Sequence, residues 1–287
     1  MSLSGPQLER IVENALAEDL AWGDITTDAL VPYSLEDKAT ILAQSEGVLA
    51  GAKVAALVFS RVDPGLKVKL TLEDGARLKP GDIIAVVTGS VASILKAERT
   101  ALNFLQRLSG IATETSRYVE AVKGYKAVIC DTRKTTPGLR FLEKYAVQVG
   151  GGKNHRHHLG DGVLIKDNHL AALARLGIPL AQAVRQARER APHELKVEVE
   201  VATPQQAREA AAAGADIVML DNMNIEDMRQ VVKELGGKVL LEASGGVTLQ
   251  TVRSVAETGV DVISVGALTH SVQAVDFTLE FPVQPPA

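Results

Sequence analysis

Apolar positions along the chain follow two rhythms, and the change between them falls near residue 125. At the start, Leu8, Ile11, Val12, Ala15 and Leu16 share one stripe at helical spacing, behind a Ser4–Gln7 sequence that reads as a capping box. Residues 38–51 and 67–88 are rich in alternating or β-branched positions. A short helical stretch at 53–59 separates them, and Pro-Gly turns punctuate them at 63–65 and 79–81. This first third predicts a small sheet with helices on it. Residues 93–123 then read as helix, broken near Ser109 and Gly110, and the first part of this stretch is where one domain hands over to the next.

Beyond residue 125 the alternation becomes regular. Apolar runs at 127–131, 162–166, 196–201, 216–220, 238–242 and 261–265 alternate with helical patterns at 138–149, 180–190, 204–213, 225–235 and 248–258. Gly-x-Asp recurs at 214–216 and 259–261, each time a glycine ending a helix before a buried parallel strand. Repeated βα units imply a parallel sheet, either a barrel or a doubly wound one. The unusual polar groups decide between them. They lie at or just after strand C-termini: residues 131–134, 166–169, 198–200, 221–222, 243–246 and 266–267. A barrel gathers such groups at one mouth. A doubly wound sheet spreads them along an edge and places a Gly-rich dinucleotide loop after its first strand, and no G-x-G-x-x-G follows any strand here. The prediction is a barrel.

Composition narrows the function classes. The 287 residues, 46% of them apolar and 23% charged, fit an ordinary globular chain of two domains, or a barrel with an appendage. No apolar run reaches the roughly 18 residues of a membrane span. The first residues lack the basic start and apolar stretch of a signal peptide. The single cysteine, Cys130, excludes an intrachain disulfide and a cysteine zinc cage and is read as a core residue. A cytoplasmic location is the expectation. Thirty-one basic against 35 acidic residues, with ten aromatics, make a poor general nucleic-acid binder. The average hides one asymmetry. Between 133 and 166 stand Arg133, Lys134, Arg140, Lys144, Lys153, Arg156 and Lys166 against only Glu143 and Asp161. Interleaved with Gly, Thr, Asn and His at strand ends, these cations point to a pocket for a small, multiply charged anion rather than to a solvated face.

The strand ends supply the rest of the chemistry. Ser244, Gly245 and Gly246, with Val265, Gly266 and Ala267, follow the last two strands, where barrels present bare glycine amides to a phosphate. Arg133, Lys134, Arg156 and Lys166 at one mouth would repel one another unless a polyanion neutralised them. Glu200 and Asp221 end neighbouring strands; a metal, sugar hydroxyls, a cationic transition state or plain salt bridges with the basic cluster all suit them. Glu198 lies one pleat earlier, so Glu200 is favoured at the mouth. His155, His157, His158 and His169 do not form a known zinc spacing. They are read as neutral hydrogen-bonding groups, with His155 the best placed to touch a ligand.

Several blocks are longer and more specific: EDLAWGDITT at 18–27, ERTALN at 98–103, DTRKTTPG at 131–138, GGGKNHR at 150–156 and LIKDNH at 164–169. EVEV at 198–201, LDN at 220–222, ASGG at 243–246 and SVGAL at 264–268 continue them. In this order, over residues 18–271, the chain resembles quinolinate phosphoribosyltransferase, the decarboxylating nicotinate-nucleotide pyrophosphorylase. The resemblance implies an N-terminal α/β sandwich over residues 1–112, with the tail 271–287 packing back onto it. It implies an open α/β barrel of six or seven parallel strands over 113–270. It also implies a pentosyltransferase of de novo NAD biosynthesis, which converts quinolinate and phosphoribosyl pyrophosphate to nicotinate mononucleotide, CO₂ and pyrophosphate with Mg²⁺.

By the same resemblance, Arg133, Lys134 and Arg156, with Thr132 and His155 beside them, would hold quinolinate. Arg99 would join from the partner subunit of a homodimer whose site lies at the subunit interface. Lys166 would meet the pyrophosphate, and Glu200 and Asp221 the ribose hydroxyls and Mg²⁺. Ser244, Gly245, Gly246, Val265, Gly266 and Ala267 would take the 5′-phosphate. Lys134, Lys166, Glu200 and Asp221 would carry the catalysis. The rivals are a molybdenum-transport-associated paralogue, nicotinate phosphoribosyltransferase, a non-catalytic nucleotide-binding barrel and a Schiff-base aldolase. The full set of base-pocket cations argues against the first two. The presence of Glu200, Asp221 and Lys166 argues against the third, and six strands with no Schiff-base context for Lys166 against the last.

Overall fold

The computed structural model describes Leu3 and residues 5–282. Ser4 of the expected capping box and residues 283–287 of the expected tail lie outside the described residues. Twelve strands are present among the described residues: β1 (Glu36–Ala43), β2 (Gly47–Val48), β3 (Lys67–Leu70), β4 (Arg77–Leu78), β5 (Ile83–Ser90), β6 (Val128–Cys130), β7 (Val163–Ile165), β8 (Val197–Val201), β9 (Ile217–Asp221), β10 (Leu240–Ser244), β11 (Val262–Ser264) and β12 (Phe277–Glu280). The chain divides into two compact units. One comprises residues 1–116, 135–151 and 268–287, the other 117–134 and 152–267. Beside the expected 1–112 with the tail 271–287, the first unit takes in residues 113–116, 135–151 and 268–270.

The first unit is an antiparallel sheet ordered β12-β1-β5-β3, with helices packed on it. Alternation along β1 buries Ala39, Ile41 and Ala43, and the helix Ala52–Val62 buries Val54, Ala55, Val58 and Phe59. Strand β12 adds to β1 with Ala43 opposite Phe277 and Thr40 opposite Glu280. The N-terminal stripe becomes α1 (Pro6–Leu20), started by Gly5 and Pro6 and buried at Leu8 and Val12.

One expectation is corrected. Val91–Ala121 is an unbroken helix, with no interruption at Ser109 or Gly110. Those residues are small because the backbone packs against them. A Cβ on Gly110 would lie 2.3 Å from the Gln273 carbonyl oxygen, and the Ser109 hydroxyl bridges the backbone N–H and C=O of Ala50. The helix Arg140–Val149, read from sequence as a barrel helix, also belongs to this unit. Glu143 on it is fully buried and pairs with Arg107 at 2.8 Å, and a Cβ on Gly150 at its end would meet the Ala112 carbonyl oxygen at 2.4 Å. That close approach binds residues 135–151 to the long helix.

The second unit is a six-stranded, wholly parallel sheet ordered β6-β11-β10-β9-β8-β7. Its first strand pairs with its last and not with its second, so the sheet curls into a barrel left open between β6 and β7. Lys153 adds one more parallel bridge at Cys130, on the free side of β6. The two Gly-x-Asp turns work alike. Gly214 and Gly259 have φ of +95° and +91°. Asp216 accepts the Val197 N–H at 2.8 Å and Asp261 the Leu241 N–H at 2.9 Å, so each aspartate caps the neighbouring strand. Outward positions such as Val199, Val218, Leu241 and Ile263 are buried. The inward ones carry the polar chemistry. Among the described residues no helix is long and apolar enough to cross a membrane.

Candidate active site

All six barrel strands send residues into one cavity of about 620 Å³ at their C-terminal ends. Thr132, Arg133 and Lys134 follow β6; Leu164 and Lys166 come from β7; Glu200 ends the inward face of β8. Met219 and Asp221 come from β9, Glu242 and Ser244 from β10, and Ser264 from β11. Only a curled sheet brings β6 and β9 to the same space, so the convergence itself is the barrel.

Four cations, Arg133, Lys134, Arg156 and Lys166, line the cavity together with Glu200 and Asp221. Burial, and after it the neighbouring Arg133, draws the Arg156 guanidinium below the usual arginine range. Arg156 is held by an Nη1 hydrogen bond to the Gly162 carbonyl at 3.1 Å. Burial pushes the Glu200 carboxyl up, Lys166 opposes this, and Asp221 adds to it. Lys166 Nζ stands 3.4 Å from Glu200 Oε2. Two guanidiniums side by side with two ammoniums near them make a receptor for an anion bearing more than one charge.

The glycines have a geometric cause. Gly245 and Gly246, after β10, take φ of +89° and +62°, and a Cβ at 245 would fall 2.4 Å from Asn222 Oδ1. Asn222 itself has φ of +51°, the one positive value among the described non-glycine residues. Its backbone N–H donates to the Ser244 carbonyl at 2.9 Å, and its amide donates to Asp221 Oδ2 at 2.9 Å. The β9 and β10 loops are thus locked together at the rim.

Of the site residues expected from sequence, Thr132, Arg133, Lys134, His155, Arg156, Lys166, Glu200, Asp221, Ser244, Gly245 and Gly246 line this cavity. Val265, Gly266 and Ala267 are not on its wall. Val265 continues the ladder, donating its N–H to the Cys130 carbonyl at 2.9 Å. Arg99 belongs to the first unit, where it lines a cleft with Glu18, Asp19, Asn103 and Thr136. The sequence reading missed Leu164, Met219, Asn222, Glu242 and Ser264. Counting back two residues from Asp221 and Ser244 would have found Met219 and Glu242, since inward positions repeat with period two.

The histidines are accounted for locally. His157 and His158 donate backbone N–H groups to Asp161 Oδ2, and His158 Nδ1 pairs with Asp161 Oδ1 at 2.8 Å. His169 Nδ1 accepts the Lys166 N–H at 2.9 Å. His155 points into the barrel toward Glu198 and Glu242.

Comparison with known proteins identifies the family. The model of the quinolinate phosphoribosyl transferase N-terminal domain matches residues 24–109, and that of the C-terminal domain matches residues 111–280. The chain is 43% identical over 274 residues to a probable nicotinate-nucleotide pyrophosphorylase (carboxylating) of Bacillus subtilis, covering 96% of this chain and 93% of that one. It is 45% identical to the nicotinate-nucleotide pyrophosphorylase (carboxylating) of Mycobacterium leprae, over 94% and 95% of the two chains. Among solved structures, NadC from Streptococcus pyogenes superposes with a TM-score of 0.92 at 42% identity, covering 99% of this chain and all of its own. Two domain matches that together span most of the chain, and relatives of this similarity along its whole length, place it: the chain belongs to the quinolinate phosphoribosyltransferase family.

Proposed function

We propose that the barrel mouth transfers a phosphoribosyl group from phosphoribosyl pyrophosphate to quinolinate and releases nicotinate mononucleotide, pyrophosphate and CO₂. The observation that carries this reading is the pairing of Arg133 and Arg156 with Lys134 in one cavity with Lys166, Glu200 and Asp221. The paired guanidiniums suit a base with two carboxylates; the remaining charges suit a phosphorylated sugar. In the reaction the C1–oxygen bond to pyrophosphate breaks with oxocarbenium character, and Glu200 and Asp221 face the positive charge that develops. Lys166 neutralises the leaving group. The pyridine nitrogen then bonds to C1. Its positive charge draws the electron pair of the C2–carboxylate bond into the ring as CO₂ leaves, and C2 takes up a proton. Positioning supplies much of the rate.

Glu200 and Asp221 also fit a divalent cation. They are hard oxygen donors in one cavity, and burial together with Asp221 pushes the Glu200 carboxyl up, a strain a cation relieves. Mg²⁺ held there with substrate oxygens would add positive charge beside the departing pyrophosphate. We also propose a homodimer in which Arg99 of one copy serves its partner. What supports this is the surface of the first unit, where Trp22 is 95%, Ile25 80% and Leu30 75% exposed, too much apolar area to leave in water.

Titration calorimetry tests the base pocket. Quinolinate is expected to bind about 10–100-fold more tightly than nicotinate, the value of one further charge-assisted contact. Equal or tighter nicotinate binding would overturn the assignment. The glycine rim gives a second check. Gly245→Ala forces a left-handed alanine against Asn222, so KM for phosphoribosyl pyrophosphate should rise about 10²-fold while quinolinate affinity changes little. An unchanged KM would remove the phosphate from this loop.

A further inference from the structure

On the wall of the same cavity stand His155 and Glu242, with Glu198 beside them, to which the transfer steps above give no role. Glu198 and Glu242, on the inward faces of β8 and β10, are 4% and 2% exposed. His155 enters beside them, with Nε2 3.2 Å from Glu198 Oε2 and 3.7 Å from Glu242 Oε1. The other side of the ring is fixed, because Nδ1 accepts the Arg156 N–H at 2.8 Å. An accepting Nδ1 carries no proton, so the ring hydrogen sits on Nε2.

Two consequences follow. The three groups lie within 4.8 Å of one another, as metal ligands would, yet this tautomer leaves Nε2 no lone pair for a metal. The cluster is also short of hydrogen. One ring N–H and the Ser264 hydroxyl face two buried carboxyl groups, and Glu198 Oε1 is buried without a hydrogen-bond partner. Glu198, the nearer, takes the N–H. A proton on Glu242 would both remove a buried charge and offer a donor to Glu198.

We propose that Glu242 is a positioning residue that carries this proton: uncharged, it donates to Glu198, steadies the carboxylate that holds the His155 N–H, and so keeps the 154–156 turn aiming the Arg156 guanidinium at the substrate carboxylate. The backbone side of that turn is already anchored, since buried Asp131 accepts from the His155 N–H at 2.7 Å and the Asn154 amide at 2.6 Å. The Glu198 carboxylate holds the ring side. Burial, and after it the Glu198 charge, push the Glu242 carboxyl up to about 7, against the pull of His155 and Ser264. Around it stand Glu198 from β8, Met219 from β9, Ser264 from β11, Cys130 from β6, and His155 and Arg156 from the turn. A carboxyl raised above its ordinary 4.5 gives stability that is whole below that value and is lost as pH climbs through the folded one.

The proposal rests on the quinolinate reading, and the test separates the two. KM for quinolinate, at saturating phosphoribosyl pyrophosphate, and the thermal midpoint are followed from about pH 6 to about pH 9 for the native chain, Glu242→Gln and Glu242→Leu. In the native chain KM should rise about fivefold or more across this range, with kcat nearly level. Glu242→Gln, which keeps a donor and cannot ionise, should hold KM within about threefold of the native acid-side value, stay flat, and melt several degrees above the native chain at the alkaline end. Glu242→Leu should raise KM at every pH. A Gln variant that keeps the native rise overturns the proposal. If that variant does not fold, infrared spectra of the native chain decide: a protonated-carboxyl band at about pH 6 that vanishes by about pH 9 supports the proposal, and its absence overturns it. Failure of the native chain to turn over quinolinate at any pH would count against the functional reading alone, since the midpoints and the band still report the proton.

Discussion

Arg156→Ala is expected to lower kcat/KM for quinolinate by about 10²–10³-fold, chiefly through KM, as removing one partner from a buried charge pair does. The guanidinium is half-withdrawn from water, pinned through Nη1 to Gly162 and crowded by Arg133. Glu198 and Asp161 offset part of the crowding by Arg133, and a substrate dianion would offset more. Removing Arg156 leaves a substrate carboxylate in a partly dry wall without its donors. Arg156→Lys should recover little, because an ammonium cannot make the parallel two-bond fork and cannot reach Gly162 in the same pose. Steady-state kinetics at saturating phosphoribosyl pyrophosphate check this. A change below about threefold would place the carboxylates elsewhere.

Glu200→Gln should have the second large effect, a fall of about 10²–10³-fold in kcat with both KM values within a few-fold of native. The carboxylate sits near Asp221 on the strand next to it, and Lys166 stands 3.4 Å away. Its negative charge does most where positive charge appears, at C1 of the ribose as pyrophosphate leaves, and little for the ground state. The amide keeps the shape and loses the charge. Because Lys166 is then freed of its partner, pyrophosphate-side affinity should not weaken. Single-turnover release of pyrophosphate measures the step directly; an unchanged rate would take Glu200 out of the transition state.

Much of this arrangement is legible in the residues. The barrel helices at 180–190 and 225–235 have the predicted bounds, because their apolar faces repeat cleanly and asparagine or proline marks their starts. The six strands follow from their β-branched runs, though β10 lies two residues later than the pattern 238–242 predicts. The lysine and valine at 238–239 look like strand but sit in the turn after the preceding helix, where the Lys238 N–H caps the Leu235 carbonyl.

Other features were hidden for physical reasons. Gly110 carries a turn signal, yet its smallness serves a backbone crossing from a segment more than 150 residues away, and no local window shows that. The helix Asp167–Ala174 went unread because its opening residues looked only like site chemistry. Glu242 was passed over as one more residue in an apolar strand. Its significance appears only when curling of the sheet sets it beside Glu198 and a histidine from a turn nearly 90 residues earlier. The cations were visible in sequence as a local excess of charge, and folding adds which of them share a wall.

The account turns on the loss of one carboxylate from a dianionic base bound beside a phosphoribosyl donor. The direct measurement uses quinolinate carrying labelled carbon in the carboxyl group next to the ring nitrogen, incubated with the protein, phosphoribosyl pyrophosphate and Mg²⁺. The account predicts one labelled CO₂ for each nicotinate mononucleotide formed and none when the phosphoribosyl donor is withheld. Label released without the donor, or nucleotide formed from nicotinate with no CO₂, would contradict it.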